Sequence, residues 1–206
     1  RPTAGGDNAQ AFFEYAVQEK DQIDKIFVIS KESNDYKTIK KIGRVVDWRS
    51  LRHLLYILLA DKLISSHADM FITNPYGRFG KYFTDLYTYD YIFLQHGITK
   101  DDLSSWLNKI DKNIKLFITS AKLEYKSILD YDYKYSKEEI LLSGLPRYDK
   151  LYNSTQKKIL VMPTWRQFLT SKPNNLGTRE KNTNFTNSDF FCFYNNLINN
   201  KKLLKK

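Results

Sequence analysis

The sequence predicts an α/β fold in which helices flank a Rossmann-like parallel β-sheet. Two observations support this prediction: short apolar runs of strand length recur through the chain, and segments with the apolar spacing of helices lie between them. Alternation of strands with helices is typical of a parallel sheet. We therefore expect one domain over residues 1–150 and, after a change of composition near Asp149, the start of a second domain over residues 151–206.

The predicted strands are apolar runs bounded by polar or turn-forming residues. The run YIFL at 91–94 is bulky throughout, which predicts a strand that is covered on both faces. The run at 159–162 follows a polar stretch, so we expect it to be the first strand of a second sheet. The runs occupy residues 26–29, 45–46, 63–64, 70–73, 91–94, 116–119, 140–142 and 159–162.

The predicted helices carry apolar residues three and four positions apart. In the first of them Ala11, Phe12, Tyr15 and Ala16 share one face, which should therefore be the buried face. His53 lies within the predicted amphipathic helix at 51–62 and is expected at the surface. The four segments are residues 7–18, 51–62, 120–129 and 188–206.

Helix starts are marked by side chains that can accept hydrogen bonds from free backbone amides. Asp7 or Asn8 is expected to cap the first helix, and Ser120 the third. The sequence TKDD at 99–102 predicts another helix start, with Thr99 as the cap and the acids placed favourably against the helix dipole.

Charge and composition limit the classes of partner. The formal net charge is +10 and the pI is about 9.4, which favours nucleic acid, phosphorylated metabolites or an acidic membrane surface. A solvated, lysine-rich surface explains much of the charge equally well. The chain has no zinc-ligand spacing, RNP-like aromatic motif or arginine-rich recognition helix, so we expect no nucleic-acid partner.

Targeting signals and cysteine usage fit a cytoplasmic protein. The longest strongly apolar run, at 54–60, is far too short to span a bilayer, and no secretory signal pattern is present in this stretch. The single cysteine, Cys192, allows no internal disulfide. It lies among Phe190, Phe191 and Phe193, so we expect a buried small hydrophobe.

His96 is the strongest candidate for a functional side chain. It follows the predicted strand at 91–94, and in open α/β sheets ligands bind at the carboxyl ends of the strands. The adjacent Gly97 would let the backbone turn sharply or approach a substrate closely. A histidine after a strand is often structural, so its position alone leaves both roles open.

The segment after residue 150 is too short for a complete α/β domain. It offers one strand at 159–162 and one helix at 188–206, separated by residues 171–187, whose Asn, Thr, Lys and Gly predict a long mobile loop. Trp165 is expected in core or hinge packing. Because the chain also starts at Arg1 rather than Met, we expect a fragment or a processed chain, with the second domain incomplete.

Four segments together resemble the glycerophosphotransferase family, which builds teichoic acid and related polyol-phosphate polymers from CDP-glycerol. The resemblance covers nearly the whole chain, and the His-Gly and Gly-Leu-Pro-Arg-Tyr-Asp sequences are specific in combination, although each alone is weak. The segments are RPTAGGDNAQAFFEY at 1–15, LISSHADMFITNPY at 63–76, FLQHGITKDDLSSWLNK at 93–109, and LLSGLPRYDKL at 141–151 followed by ILVMPTWR at 159–166.

The resemblance implies two Rossmann-like domains of GT-B glycosyltransferase type that face each other across a cleft. The first would hold the acceptor polymer and the second CDP-glycerol. The family's second histidine after a Lys-Pro segment, and its acidic and serine-rich loop for the nucleotide, do not occur up to Lys206. The chain by itself is therefore expected to be inactive.

The implied reaction transfers glycerol phosphate, or a similar polyol phosphate, from CDP-glycerol to a hydroxyl of a growing teichoic-acid-like or capsular polymer and releases CMP. His96 would be the general base, because a polyol hydroxyl is a poor nucleophile and an imidazole with a pKa of ~6.5 accepts protons near neutrality. Arg147 and Arg166 would neutralise phosphate oxygens, and Thr164 would add a donor. Arg147 could instead pair with Asp149 or with the carboxyl end of a helix.

Three further residues are implied in substrate binding. Gly97 lies beside the base, Lys100 could meet the acceptor's phosphates, and His67 follows an apolar run and could line the cleft. A role for His67 in fixing a loop by hydrogen bonds is an equally good explanation.

The resemblance also implies partners and a location. Enzymes of this family work on lipid-linked polymers at the cytoplasmic face of the plasma membrane, so peripheral attachment to anionic lipid is expected. No cofactor is expected besides the donor substrate, and the sequence leaves metal dependence open, because no acidic cluster has convincing ligand spacing. The sequence also leaves open which polyol is transferred, whether the enzyme is a primase or a polymerase, and the oligomeric state. The alternative function is a non-catalytic module that binds anionic polysaccharide or nucleotide.

Overall fold

The computed structural model describes residues 2–154, 158–164, 166–171, 179–180 and 182–204. The chain forms two compact units, Arg1–Asn153 and Ser154–Lys206. Trp165 and residues 172–178 and 181 of the predicted loop at 171–187 lie outside the described residues. Within the described ranges, no helix has the length and apolar character that crossing a membrane requires.

The first unit contains two sheets whose strands all pair in parallel, which confirms the α/β prediction. β1 pairs with β2, and a second sheet has the order β3-β4-β5-β6. Because the strands are parallel, their carboxyl ends meet at one edge of each sheet. The strands are β1 Ile26–Ile29, β2 Arg44–Asp47, β3 Lys62–Ser65, β4 Asp90–Phe93, β5 Ile114–Thr119 and β6 Ile140–Leu142.

Helices connect and flank these strands. The α-helices are α1 Asn8–Ala16, α2 Tyr36–Ile42, α3 Leu51–Leu59, α4 Met70–Thr73, α5 Ser104–Leu107, α6 Lys109–Lys112, α7 Lys122–Asp130, α8 Asp189–Ile198 and α9 Lys201–Leu204. Short 3-10 helices occur at Gly77–Tyr82, Thr84–Leu86, Lys137–Glu139, Pro146–Lys150, Gln167–Leu169 and Phe185–Asn187.

The central strands of the four-stranded sheet are packed on both faces at their carboxyl ends, whereas Ile92 and Leu116 are half-buried, so the bulky run at 91–94 is covered only in part on the second face. On one face Phe93 and Phe117 make an edge-to-face contact with ring centroids 5.1 Å apart, within a cluster that includes Ile128 of α7. Successive side chains of a strand point to opposite faces. Leu94 and Ile118 accordingly belong to a separate cluster, which α1 joins. The carboxyl ends of β4 and β5 are therefore fixed by packing on both sides.

Helix α1 contacts both sheets, and the face predicted for it is partly wrong. Tyr15 was expected inside but is 64% exposed, whereas Phe13 is buried. Phe12 joins the cluster on the four-stranded sheet, and Phe13 joins the cluster around Ile29 of the two-stranded sheet. Adjacent residues of a helix lie about 100° apart, so a helix that touches two sheets buries two neighbouring positions instead of one stripe.

Two predicted strands do not form. Residues 70–73 adopt the short helix α4, because an apolar run of this length fits either conformation and the sequence cannot decide between them. At 159–162 no strand is assigned, and the four side chains are between 41% and 84% exposed. No described strand pairs with that segment, so a buried strand cannot be completed there.

The predicted helix starts have mixed outcomes. Asp7 is the N-cap of α1, and its side chain accepts from the amide of Asn8. Ser120 is not the cap of α7, which begins at Lys122 after Ala121. The segment at 99–102 is not helical, and α5 begins at Ser104. The amide of Thr99 instead donates to Glu124 and its hydroxyl to Gln95, while the amide of Ser120 donates to Glu124.

The second unit is built around α8. The hydroxyl of Ser188 caps this helix by accepting from the amide of Phe191, and the ring of Phe185 packs against that of Phe191 at 5.3 Å. Leu169 is the buried hydrophobic residue of the unit within its described ranges.

Candidate functional site

The carboxyl ends of β3 and β4 bring two histidines together. The strands pair from Lys62 with Asp90 to Ser65 with Phe93, so the loops that follow them leave the same edge of the sheet. The rings of His67 and His96 stack there with centroids 4.8 Å apart and planes inclined by 7°. We refer to His67 and His96 as the histidine pair.

The backbone of His67 is fixed by three hydrogen bonds. The hydroxyl of Ser65 accepts from the amide of His67 at 3.1 Å and donates to its carbonyl oxygen at 3.0 Å. The phenol of Tyr91 donates to the same carbonyl at 2.6 Å. Burial lowers the pKa of His67 to about 4, and the neighbouring imidazole of His96 acts in the same direction. His67 is therefore neutral at pH 7.

His96 is exposed at this edge of the sheet. The residue before it, Gln95, is 2% exposed and has a φ of 58°, a left-handed conformation that is uncommon outside glycine. The sequence offered Gly97 as a place for a sharp turn or a close approach to substrate; the backbone bends at His96 and Gly97, and the positive φ of this turn falls at Gln95. A Cβ on Gly97 would meet no atom within 4 Å, so the backbone beside His96 is open to a ligand.

A buried carboxylate holds the loop that carries His96. Glu124 of α7 is 3% exposed. Its Oε1 accepts from the amide of Thr99 at 2.6 Å and from the side-chain amide of Gln95 at 3.1 Å. Its Oε2 accepts from the amide of Ser120 at 2.7 Å. Neither Gln95 nor Glu124 was a candidate from the sequence, because nothing in the sequence indicates a contact between residues that lie 29 positions apart.

The start of α1 closes the other side of this loop. Asn8 is fully buried, and its Nδ2 donates to the carbonyl oxygen of Gln95 at 2.7 Å. Its Oδ1 accepts from the amide of Arg147 at 3.2 Å. The guanidinium of Arg147 pairs with Asp7, with Nη1 and Oδ1 2.8 Å apart. The alternative partner considered from the sequence, Asp149, is thus not the one observed.

The remaining predicted site residues lie at the surface of their units. Lys100 is exposed four residues after His96. Thr164 and Arg166 belong to the second unit and are exposed there. The guanidinium carbon of Arg166 lies 5.7 Å from the ring centroid of Phe190. The first unit therefore brings together His67, His96 and Arg147 around one edge, with Gly97 beside them.

Two predictions about other reactive side chains are wrong. His53 was expected at the surface, but it is 6% exposed, and its Nδ1 accepts from the amide of Arg49 at 2.9 Å. Arg49 has a φ of 61°, and the buried imidazole satisfies the amide of this residue in its left-handed conformation. Cys192 was expected to be buried but is exposed, because α8 turns it away from its apolar side. Among the described residues, no cluster of three or more His, Cys, Asp or Glu could hold a metal ion.

The structure thus defines a parallel α/β domain with an exposed imidazole at the carboxyl edge of its sheet, which is the edge where such domains bind their ligands. The family model described as CDP-Glycerol:Poly(glycerophosphate) glycerophosphotransferase matches residues 3–206. The chain therefore belongs to this family of transferases, which confirms the resemblance drawn from the four sequence segments.

A curated relative agrees with this assignment. The chain is 47% identical over 207 residues to the minor teichoic acid biosynthesis protein GgaB of Bacillus subtilis (strain 168). The match covers all of this chain and 23% of the length of GgaB. No solved structure matches the chain.

Proposed function

We propose that this chain provides the acceptor-side domain, with His96 as general base, for transfer of glycerol phosphate or a similar polyol phosphate from CDP-glycerol to a hydroxyl of a teichoic-acid-like polymer. The family supplies the donor and the polymer class. The observation that carries the proposal is the exposed ring of His96 at the carboxyl edge of the sheet, stacked on the ring of His67.

The chemistry requires a base at an open edge. A polyol hydroxyl attacks the phosphorus once its proton is accepted, and neutral imidazole accepts protons near pH 7. The leaving group is CMP, and the proton ends on His96. A buried ring could not reach an incoming alcohol, whereas His96 is exposed.

His67 supports this role without competing for it. With a pKa of about 4, caused mainly by burial, it stays neutral and adds no positive charge beside the base. Its ring face lies against that of His96 at 4.8 Å, which limits the orientations of the base.

Arg147 is the arginine of the first unit that we propose as a phosphate ligand, because its amide is bonded to Asn8, which also bonds the residue before His96. The side chain of Arg147 is 34% exposed, and its Nη1 is already paired with the carboxylate of Asp7. Arginine offers five donors, so donors remain for a phosphate of the acceptor. Gly97 and Lys100 would lie along the acceptor, while Thr164 and Arg166 of the second unit would bind the donor.

CMP release from CDP-glycerol, with a glycerol-phosphate-primed acceptor, tests the base. The longest natural protein that contains this chain is used, because the chain covers 23% of GgaB. We expect His96→Ala to lower the rate by roughly 10²- to 10⁴-fold, the usual contribution of a general base. The matched control is His53→Gln, since His53 is buried on α3 away from the pair. Equal CMP release by wild type and His96→Ala would refute the assignment and favour a non-catalytic binding module.

We also propose peripheral attachment at the cytoplasmic face of the plasma membrane. The net charge of +10 supports this location, because basic proteins are attracted to anionic leaflets. Co-sedimentation with vesicles that contain anionic lipid should decrease as salt rises, and vesicles of neutral lipid should bind little protein. Equal binding to both kinds of vesicle would contradict an electrostatic attachment.

A further inference from the structure

We propose that Glu124 is a positioning residue for the reaction, because it holds the loop that presents His96 in its observed conformation. This inference rests on the proposed function of His96. Glu124 lies in the first turn of α7, outside the loop itself. The loop comprises residues 95–99 and is named here the His96 loop.

The His96 loop needs a restraint, because its first residue is strained. Gln95 adopts a φ of 58°, and a non-glycine residue persists in that region only when its surroundings impose it. Gln95 directly precedes His96, so relaxation of its backbone would turn the imidazole away from the edge. Gln95 is also 2% exposed, which means that its polar side chain must find partners inside the protein.

One carboxylate oxygen of Glu124 accepts hydrogen bonds from both ends of this loop. Oε1 accepts from the side-chain amide of Gln95 at 3.1 Å and from the backbone amide of Thr99 at 2.6 Å. The hydroxyl of Thr99 donates to the side-chain oxygen of Gln95 at 2.8 Å. These bonds close a ring across the loop, and His96 and Gly97 lie between the two tied ends.

The second oxygen of Glu124 fixes the carboxylate to the sheet. Oε2 accepts from the amide of Ser120 at 2.7 Å, directly after β5. The side-chain amide of Gln95 also donates to the carbonyl oxygen of Ile118 in β5 at 2.6 Å. The loop is thus hydrogen-bonded to the carboxyl end of β5, where packing on both faces of the sheet leaves the strand little freedom.

The carboxylate, and not merely a polar group, is required here. Both oxygens of Glu124 accept hydrogen bonds from backbone amides. In glutamine one of these oxygens becomes an amino group, which would face an amide donor. The substitution Glu124→Gln therefore keeps the volume but breaks one of the two anchors.

The expected effect of Glu124→Gln is on turnover. Displacement of a catalytic group by about 1 Å can lower rate by roughly 10²-fold, so we expect kcat for CMP release to fall about tenfold or more while the KM for CDP-glycerol stays unchanged. The control is Glu139→Gln, which also removes a carboxylate that accepts from a backbone amide, that of Ser136. Glu139 lies away from the His96 loop, so kcat should hold.

NMR of the histidine rings gives a readout that does not depend on activity. The mutual ring-current shifts of His67 and His96, which arise from their stacking, should diminish in Glu124→Gln and persist in Glu139→Gln. The milder variant Thr99→Val, which loses the hydroxyl bond to Gln95, should show smaller changes in the same direction. It also keeps the test decisive should Glu124→Gln fold poorly.

The outcomes separate the two proposals. Unchanged ring shifts together with unchanged kcat in both variants would overturn the positioning role of Glu124. A fall in kcat no greater than the control's would also overturn it. If the ring shifts diminish but His96→Ala retains full activity, Glu124 still holds the His96 loop, but the assignment of His96 as the base fails and with it the role of Glu124 in the reaction.

Discussion

At the residue scale, the histidine pair combines an exposed ring with a neutral supporting ring. His67 is held by its backbone through Ser65 and Tyr91, so its ring provides a fixed surface for His96. Stacked aromatic rings contribute about 0.5–1.5 kcal/mol beyond the area they bury. The support that His67 gives is therefore modest, and its loss should weaken the base without abolishing it.

Substitution of His67 should separate stacking from hydrogen bonding. Loss of the ring in His67→Ala is expected to lower kcat by roughly two- to tenfold, which corresponds to a stacking contact of this size. His67→Phe keeps a ring face but no nitrogen, so it should retain more activity than His67→Ala. Steady-state rates of CMP release for both variants check this. Equal losses would instead assign the contribution to an imidazole nitrogen.

The buried His53 should make stability depend on pH. Burial lowers its pKa from 6.5 to about 4, and the charge of Arg49 acts in the same direction. Between these two pKa values the unfolded chain binds a proton at His53 and the folded chain does not. The free energy of unfolding is therefore not reduced by this group above pH 6.5, and it decreases as pH falls from 6.5 toward 4. From pH 7 to 5 the loss should be roughly 1–2 kcal/mol.

Urea unfolding of wild type and His53→Gln at pH 7 and pH 5 measures this contribution. Glutamine can still accept from the amide of Arg49 but does not titrate. The difference in the free energy of unfolding between wild type and His53→Gln should therefore be smaller at pH 5 than at pH 7. A constant difference across this range would contradict the titration of His53.

The residues found from the sequence differ in kind from those that were missed. His96 and His67 follow apolar runs, so their place at the carboxyl edge is readable once the strands are predicted. Glu124, Gln95 and Asn8 act through contacts across the fold, and their types fit a solvated helix start or a loop equally well. Sequence periodicity indicates which side chains face a core, but not which polar groups meet inside it.

At the element scale, α1 links the sheets to the site. Its predicted cap, Asp7, is confirmed, yet the helix does more than begin there. Asn8, in its first turn, bonds the carbonyl oxygen of Gln95 and the amide of Arg147. The helix start thus joins the loop after β4 to the 3-10 helix Pro146–Lys150.

Changes at Asn8 should reveal this link. Asn8→Ala leaves the carbonyl oxygen of Gln95 without its donor in a buried site, which costs about 1–3 kcal/mol. Asn8→Asp keeps an acceptor for Arg147 but places an oxygen against that carbonyl, so it should destabilise at least as much. Denaturant unfolding of both variants measures the effect. Stability within about 0.5 kcal/mol of wild type, the usual range for neutral surface changes, would contradict the bridging role.

At the scale of the whole molecule, the buried apolar residues belong mainly to the first unit. Its three core clusters draw on strands β1 to β6 and on α1, α2 and α7. In the second unit Leu169 is the buried hydrophobic residue of the described ranges, and side chains at 159–162 are largely exposed. Patches of exposed apolar residues often mark surfaces that a partner or further chain covers.

We therefore expect the two units to differ in autonomous stability. A protein of residues 1–153 retains all three clusters and should unfold in one cooperative transition in urea. In the described ranges of 154–206 the buried hydrophobic residue is Leu169, and we expect a peptide of residues 154–206 not to offset the entropy of ordering its chain, since domains of this size are marginal even with a full core. Its far-ultraviolet circular dichroism should show little cooperative change on heating. A sharp thermal transition of that peptide would show that the second unit is a domain in its own right, and its exposed side chains at 159–162 would then need another explanation.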